Sequence, residues 1–100
     1  MHARVAIYRI TSGTAADIAT AARDGMLPIF QALPGFIRYS VADVGDGTLL
    51  SISLWADRAS AEAAVVAAAD FVGTTLTDQL ELATNAVGDL AFYEGAPVPV

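Results

Sequence analysis

The stretch whose reading decides the fold is Phe36-Ile37-Arg38-Tyr39-Ser40-Val41-Ala42-Asp43-Val44-Gly45-Asp46-Gly47-Thr48-Leu49-Leu50-Ser51-Ile52-Ser53-Leu54-Trp55. Two runs rich in β-branched and aromatic residues flank Gly45-Asp46-Gly47, a tight-hairpin signal, because two-residue turns need positive φ angles. The spacing predicts strands over Phe36–Val44 and Thr48–Trp55. Immediately before them, Leu33-Pro34-Gly35 is a stop signal for a preceding helix. Immediately after, Asp57 is a good N-cap, since its carboxylate accepts from free backbone amides of the first turn.

Working outward, Val5–Ile10 reads as a first strand closed by Thr11-Ser12-Gly13. Thr14 then caps a helix with Asp17 near the positive end of its dipole. Ile18, Ala22, Met26, Ile29 and Leu33 recur at helical spacing to about Ala32, with Gly25 and Pro28 expected to bend the rod. Beyond Asp57, the Ala-rich segment to about Val72 puts Ala61, Ala64, Val65, Ala68 and Val72 on one stripe, while Arg58, Glu62 and Asp70 mark the wet face. Gly73 is expected to break this helix, Thr74–Ala83 to add a short further helical turn with Leu76 and Leu80 inward, and Val87–Glu94 to form a fourth strand. Pro97–Val100 closes the chain as a tail outside a single domain spanning 1–96. The order is βαββαβ, a ferredoxin-like α+β fold with a four-stranded antiparallel sheet.

The period of two separates each strand into faces. Val5 and Ile7 oppose Ala6, Tyr8 and Ile10. Phe36, Ala42 and Val44 oppose Ile37, Tyr39 and Val41, and Leu50, Ile52 and Leu54 oppose Leu49 and Trp55. Neither face is polar, and two helices cover one face only. A soluble monomer rarely exposes an apolar patch of more than a few hundred Å², so a homodimer packed sheet to sheet is expected.

Composition narrows the function. The 100 residues include 11 acids, 5 cations that are all Arg, and no Cys. A net charge of −6 argues against nucleic acid and anionic lipid as partners, because both recruit clustered cations. Without Cys there is no disulfide, thiolate nucleophile or sulfur metal site. No apolar run reaches the roughly 18 residues of a membrane span, and Met1-His2-Ala3-Arg4-Val5 does not read as a leader, so a cytoplasmic protein is expected. Of the 55% apolar residues, 21 are Ala, leaving the larger side chains spread over both sheet faces. No Gly-rich phosphate loop, Ser-His-Asp set, paired carboxylates or metal-ligand spacing appears.

Leu33-Pro34-Gly35-Phe36 opening a strand, the Gly-Asp-Gly hairpin, and Ser51-Ile52-Ser53-Leu54-Trp55-Ala56-Asp57 running into an Ala-rich helix together resemble the antibiotic biosynthesis monooxygenase (ABM) domain of the dimeric α+β barrel superfamily. The resemblance spans Val5 to Glu94. It implies two sheets closing into a barrel across a dimer and a pocket between sheet and helices in each subunit. Well-known members oxygenate aromatic polyketides without metal or flavin, and others degrade haem or quinols. Relatives cyclise polyketides or have no known activity. The haem-degrading branch uses a His on the helix after the Trp; here the stretch from Asp57 to Val72 contains none, which disfavours haem.

The chemistry implied is a cofactor-independent monooxygenase acting on a hydroxylated polycyclic aromatic or quinol, which supplies its own electrons once deprotonated. Such a site needs an apolar pocket, donors for the anion, and access for oxygen. Trp55 offers an indole N–H or a stacking surface, and otherwise is a large core residue. Ser51 and Ser53 share its strand face, lining either a ligand pocket or a dimer seam. Tyr39 and Tyr8 are phenols on apolar faces, each a donor to substrate or a half-buried side chain with a wet hydroxyl. Arg38 and Arg9 are strand cations that stabilise an oxyanion or pair with Asp43 or Asp89. His2, the one imidazole, lies at the chain start. Phe71, Phe92 and Met26 read as core or pocket wall. Two other functions stay open on this fold: a polyketide cyclase or isomerase, and a non-catalytic small-ligand-binding dimer.

Overall fold

The computed structural model describes residues 1–96. β1 (His2–Ile10) is followed by one continuous helical rod made of α1 (Ala15–Ala21), a π-helical turn (Ala22–Met26) and α2 (Leu27–Ala32). Then come β2 (Phe36–Gly45), β3 (Thr48–Trp55), α3 (Arg58–Thr75) and β4 (Leu80–Asp89). The sheet is antiparallel with order β2-β3-β1-β4, the ferredoxin-like arrangement. Expected tail residues 97–100 lie outside the described residues.

Local chemistry accounts for the turns. Asp46 and Gly47 both have positive φ, 53° and 70°, and Asp43 Oδ1 accepts from the Gly45 amide at 3.0 Å, so the β2–β3 hairpin turns in two residues. Gly35 adopts φ 78°, and a Cβ there would sit 2.5 Å from Ser60 Oγ. That close approach seats the Pro34-Gly35 turn on the start of α3, where the Ala56 amide donates to Gly35 O. Both expected caps form: Thr14 Oγ1 accepts from the Asp17 amide and Asp57 Oδ1 from the Ser60 amide.

The helices cover one face of the sheet. Ala6, Tyr8, Leu49 and Trp55 from the strands meet Ile18, Ala22, Met26 and Phe30 from the first rod, and Ala61, Ala64, Ala68 and Phe71 from α3. Small residues on α3 let its backbone approach the sheet closely. The opposite sheet face, including Val5, Ile7, Leu50 and Ile52, has no helix over it. Leu54, on that face, is buried by its neighbours but stands outside the core cluster.

Five expectations are corrected. Ile29 is exposed and Phe30 is fully buried in its place, because the π-helical turn widens the coil and keeps the four-residue spacing Ile18-Ala22-Met26-Phe30 on one face. Phe36 packs against the same core as Tyr39, since a register shift between Phe36 and Arg38 absorbs one residue and reverses the parity. Gly73 lies inside α3 and does not break it. Leu76 and Leu80 are both inward, but a single turn joins them, Leu80 N donating to Leu76 O, and the fourth strand starts at Leu80 instead of Val87. β4 pairs with β1 alone along its whole length and is mostly exposed, so it lacks the apolar alternation that marks a half-buried strand. Phe92, beyond its end, is exposed and not core.

Candidate functional site

Between the sheet and the two helices that cover it lies a cavity whose polar lining comes from Arg4, Tyr8, Tyr39 and Ser51. The rest of its wall is apolar, with Met26 and Phe71 contributed by the helices. Strand parity assembles the polar group. Arg4, Ala6 and Tyr8 alternate on β1 toward the helices, Ser51 stands opposite Ala6 on β3, and Val41 opposite Ser51 on β2. The cavity is tight, about 30 Å³, room for a water-sized guest.

Arg4 is 2% exposed. Its Nε donates to Asn85 Oδ1 at 2.9 Å, and its Nη2 donates to the Tyr8 hydroxyl at 3.0 Å. Burial pushes the Tyr39 phenol up to about 12, Tyr8 beside it acts in the same direction, and the Ser51 hydroxyl and the Arg4 charge act against them. Tyr39 is therefore a neutral donor near pH 7 and not a base. Among the described residues no carboxylate or imidazole lines the cavity.

Trp55 and Ser53 are fully buried but not in the cavity wall; the indole N–H donates to Ser53 Oγ at 2.8 Å. That bond occupies the N–H that the sequence offered to a substrate. Trp55 instead meets Phe30 edge to face at 5.2 Å, and Phe30 meets Tyr39 at 4.9 Å, so the indole supports the phenol through one intervening ring. Arg38 projects from the opposite side of β2 and is exposed, as is Arg9, and neither forms an ion pair among the described residues. His2 stands near Asp89, away from the cavity.

The structure thus brings together Tyr8, Tyr39, Ser51, Met26 and Phe71, and leaves Trp55, Ser53 and Arg38 outside. Sequence reasoning missed Arg4 and its partner Asn85. The signal for Arg4 was present: extending the first strand one residue upstream reaches it, in phase with Ala6 and Tyr8. Asn85 needed the true start of β4.

The family model described as Antibiotic biosynthesis monooxygenase matches residues 1–69. The chain belongs to this family. Among solved structures, HapK from Hahella chejuensis is similar at TM-score 0.72 and 17% identity, over 97% of this chain and 100% of that one. SnoaB from Streptomyces nogalater, a cofactor-independent oxygenase, is similar at TM-score 0.71 and 16% identity, over 92% and 94% of the two chains. A dimeric ferredoxin-like protein from an uncultured marine organism matches at TM-score 0.69 and 12% identity, over 95% and 98%. At such identities the likeness is one of fold. No curated protein matches the sequence. Among the described residues no helix is long and apolar enough to cross a membrane, and no cluster of metal-ligating side chains occurs.

Proposed function

We propose that this ABM-family chain is a cofactor-independent monooxygenase acting on a hydroxylated polycyclic aromatic or quinol. The observation that carries the reading is the cavity itself, an apolar enclosure whose polar atoms are a cation, two phenols and a hydroxyl. Tyr8, Tyr39 and Ser51 orient the substrate oxygen, Met26 and Phe71 flank its ring, and Trp55 with Ser53 holds Phe30 and thereby Tyr39 in place. Arg38, on the far side of the sheet, is left out of this assignment. In the reaction the substrate anion donates electrons to dioxygen. A ring CH2 becomes C=O with one oxygen atom, and the other leaves as water with the two hydrogens.

The working unit is a homodimer joined through the uncovered sheet face. Ile52 there is 36% exposed, and such side chains gain by mutual burial. The dimeric ferredoxin-like neighbour supports this assembly.

The tightness of the cavity favours a second reading, a non-catalytic small-ligand-binding dimer, because ligand sites usually offer roughly 300 Å³ or more. An isomerase or cyclase is less well served, since among the described residues no carboxylate or imidazole in the wall carries a proton between carbons. Oxygen uptake on a panel of anthrones and hydroquinones, for the parent chain and Tyr39→Phe, separates these. The oxygenase requires one O2 consumed per ketone formed and a fall of roughly tenfold or more in Tyr39→Phe, the order of one lost transition-state hydrogen bond. No uptake across the panel leaves the binding dimer.

A further inference from the structure

The cation in the cavity is not explained by its protein partners. Burying a guanidinium costs several kcal/mol per ion unless a counter-charge and hydrogen bonds offset it. Arg has five N–H donors, and Arg4 gives one to the Asn85 amide oxygen and one to the Tyr8 hydroxyl, both neutral. The chain has 11 acids, yet among the described residues none forms an ion pair with Arg4. Among the described residues the wall holds no carboxylate or imidazole to take a proton from a bound ligand, and burial keeps the Tyr39 phenol protonated.

We propose that this cavity is a receptor for a planar conjugated ligand that arrives already negatively charged, its anionic oxygen pairing with the Arg4 guanidinium. The oxygen belongs to a carboxylate or to an acidic phenol or enol; guanidinium recognises either, a carboxylate with two parallel bonds. The inference rests on the cavity being the binding site of the proposed function, and not on oxygenation. Space for the ligand's body lies next door. Tyr39 and Val41 also wall an outer groove of about 280 Å³ lined by Ala19, Arg23 and Leu27 as well. Tyr39 and Val41 are the side chains common to both walls, so binding requires them to give way, with the charged end at Arg4 and the body in the groove beside Arg23.

Titration calorimetry under nitrogen tests this without turnover, using naphthoate, its methyl ester and a nitrophenol. Naphthoate should bind at least about tenfold more tightly than the ester, a preference worth about 1.4 kcal/mol. Affinity for the nitrophenol should rise as pH climbs through that probe's own pKa, while naphthoate binding stays level near neutrality. Binding by one anion but not the other assigns the oxygen as carboxylate or phenolate. Arg4→Met should erase the preference, bringing naphthoate affinity down to that of the ester. Should that variant fail to fold, Asn85→Asp serves: position 85 is exposed, and a carboxylate placed on Nε neutralises the cation from within, again abolishing the preference. Equal affinity for acid and ester, an undiminished preference in a folded Arg4→Met or Asn85→Asp chain, or no anion binding below millimolar concentration overturns the proposal. Anion binding without oxygen uptake on any substrate leaves it standing while removing the oxygenase.

Discussion

Gly25 sits in the π-helical turn, and its replacement by Ala sets two effects of known size against each other. Ala is favoured over Gly inside a helix by about 1 kcal/mol. However, a Cβ at position 25 would lie 2.5 Å from Cε1 and 2.7 Å from Cζ of the Phe71 ring. Carbon atoms prefer roughly 3.5–4.0 Å, so the ring must retreat by about 1 Å. Phe71 is 9% exposed and forms part of the cavity wall, and overpacking of this kind costs about 1–3 kcal/mol. The net expectation for Gly25→Ala is a loss of about 0–2 kcal/mol. Gly73→Ala is the internal control: it is also helical, and its Cβ would have no neighbour within 4 Å. That change should stabilise by up to about 1 kcal/mol. Urea denaturation of the two variants should therefore separate them by about 1–3 kcal/mol. A double-mutant cycle with Phe71→Leu should assign the deficit to the ring as a coupling of about 1 kcal/mol or more. If Gly25→Ala stabilises as much as Gly73→Ala, or the cycle shows no coupling, the close packing of the rod on α3 is refuted.

Two further outcomes follow from ionisation. The Tyr39 phenol titrates near 10.0 when unfolded and about 12 when folded, so above pH 10 the unfolded chain releases a proton that the native chain keeps. Stability should fall across that window by up to about 2–3 kcal/mol, and Tyr39→Phe should flatten the alkaline limb in denaturation curves taken at stepped pH. Asp57 is held below the usual carboxylate range, first by the Ser60 amide and then by the Ser60 hydroxyl. Its cap is in force above the ordinary Asp pKa and is lost as pH falls through the lowered one. Asp57→Ala should lower the thermal midpoint at neutral pH, Asp57→Asn less so, and both should narrow the gap to the parent chain in acid.

Where the code was local, it was legible. Asp46-Gly47 had to turn because both residues take positive φ cheaply, and Asp57 had to cap because its carboxylate reaches an amide three residues ahead. The stretch from Leu33 to Asp57 therefore carried its two strands, its turn and the start of α3, and with them the family. The strand faces followed from parity, apart from Phe36, whose side is reversed by a bulge that no residue announces. Tyr8, Tyr39 and Ser51 came to the cavity by the same parity. Trp55 did not, because a hydroxyl two residues earlier on its own strand satisfied the indole first.

The remainder was decided by contacts between distant segments. The π-helical turn holds Gly25 against Phe71 of another helix, and it moves Phe30 inward at the expense of Ile29. β4 has almost no pattern of its own and exists through its ladder with β1. Arg4 shows the division most plainly: its acceptor Asn85 is 81 positions away, and its burial needs the sheet closed and both helices in place. The sequence alone determined the hairpin, the caps, the strand parity and the fold class, since each rests on backbone preferences within a few residues. Tertiary structure alone decided that an arginine near the start of the chain would be the buried charge at the centre of the site, because desolvation depends on what packs around a group and not on its neighbours in the chain.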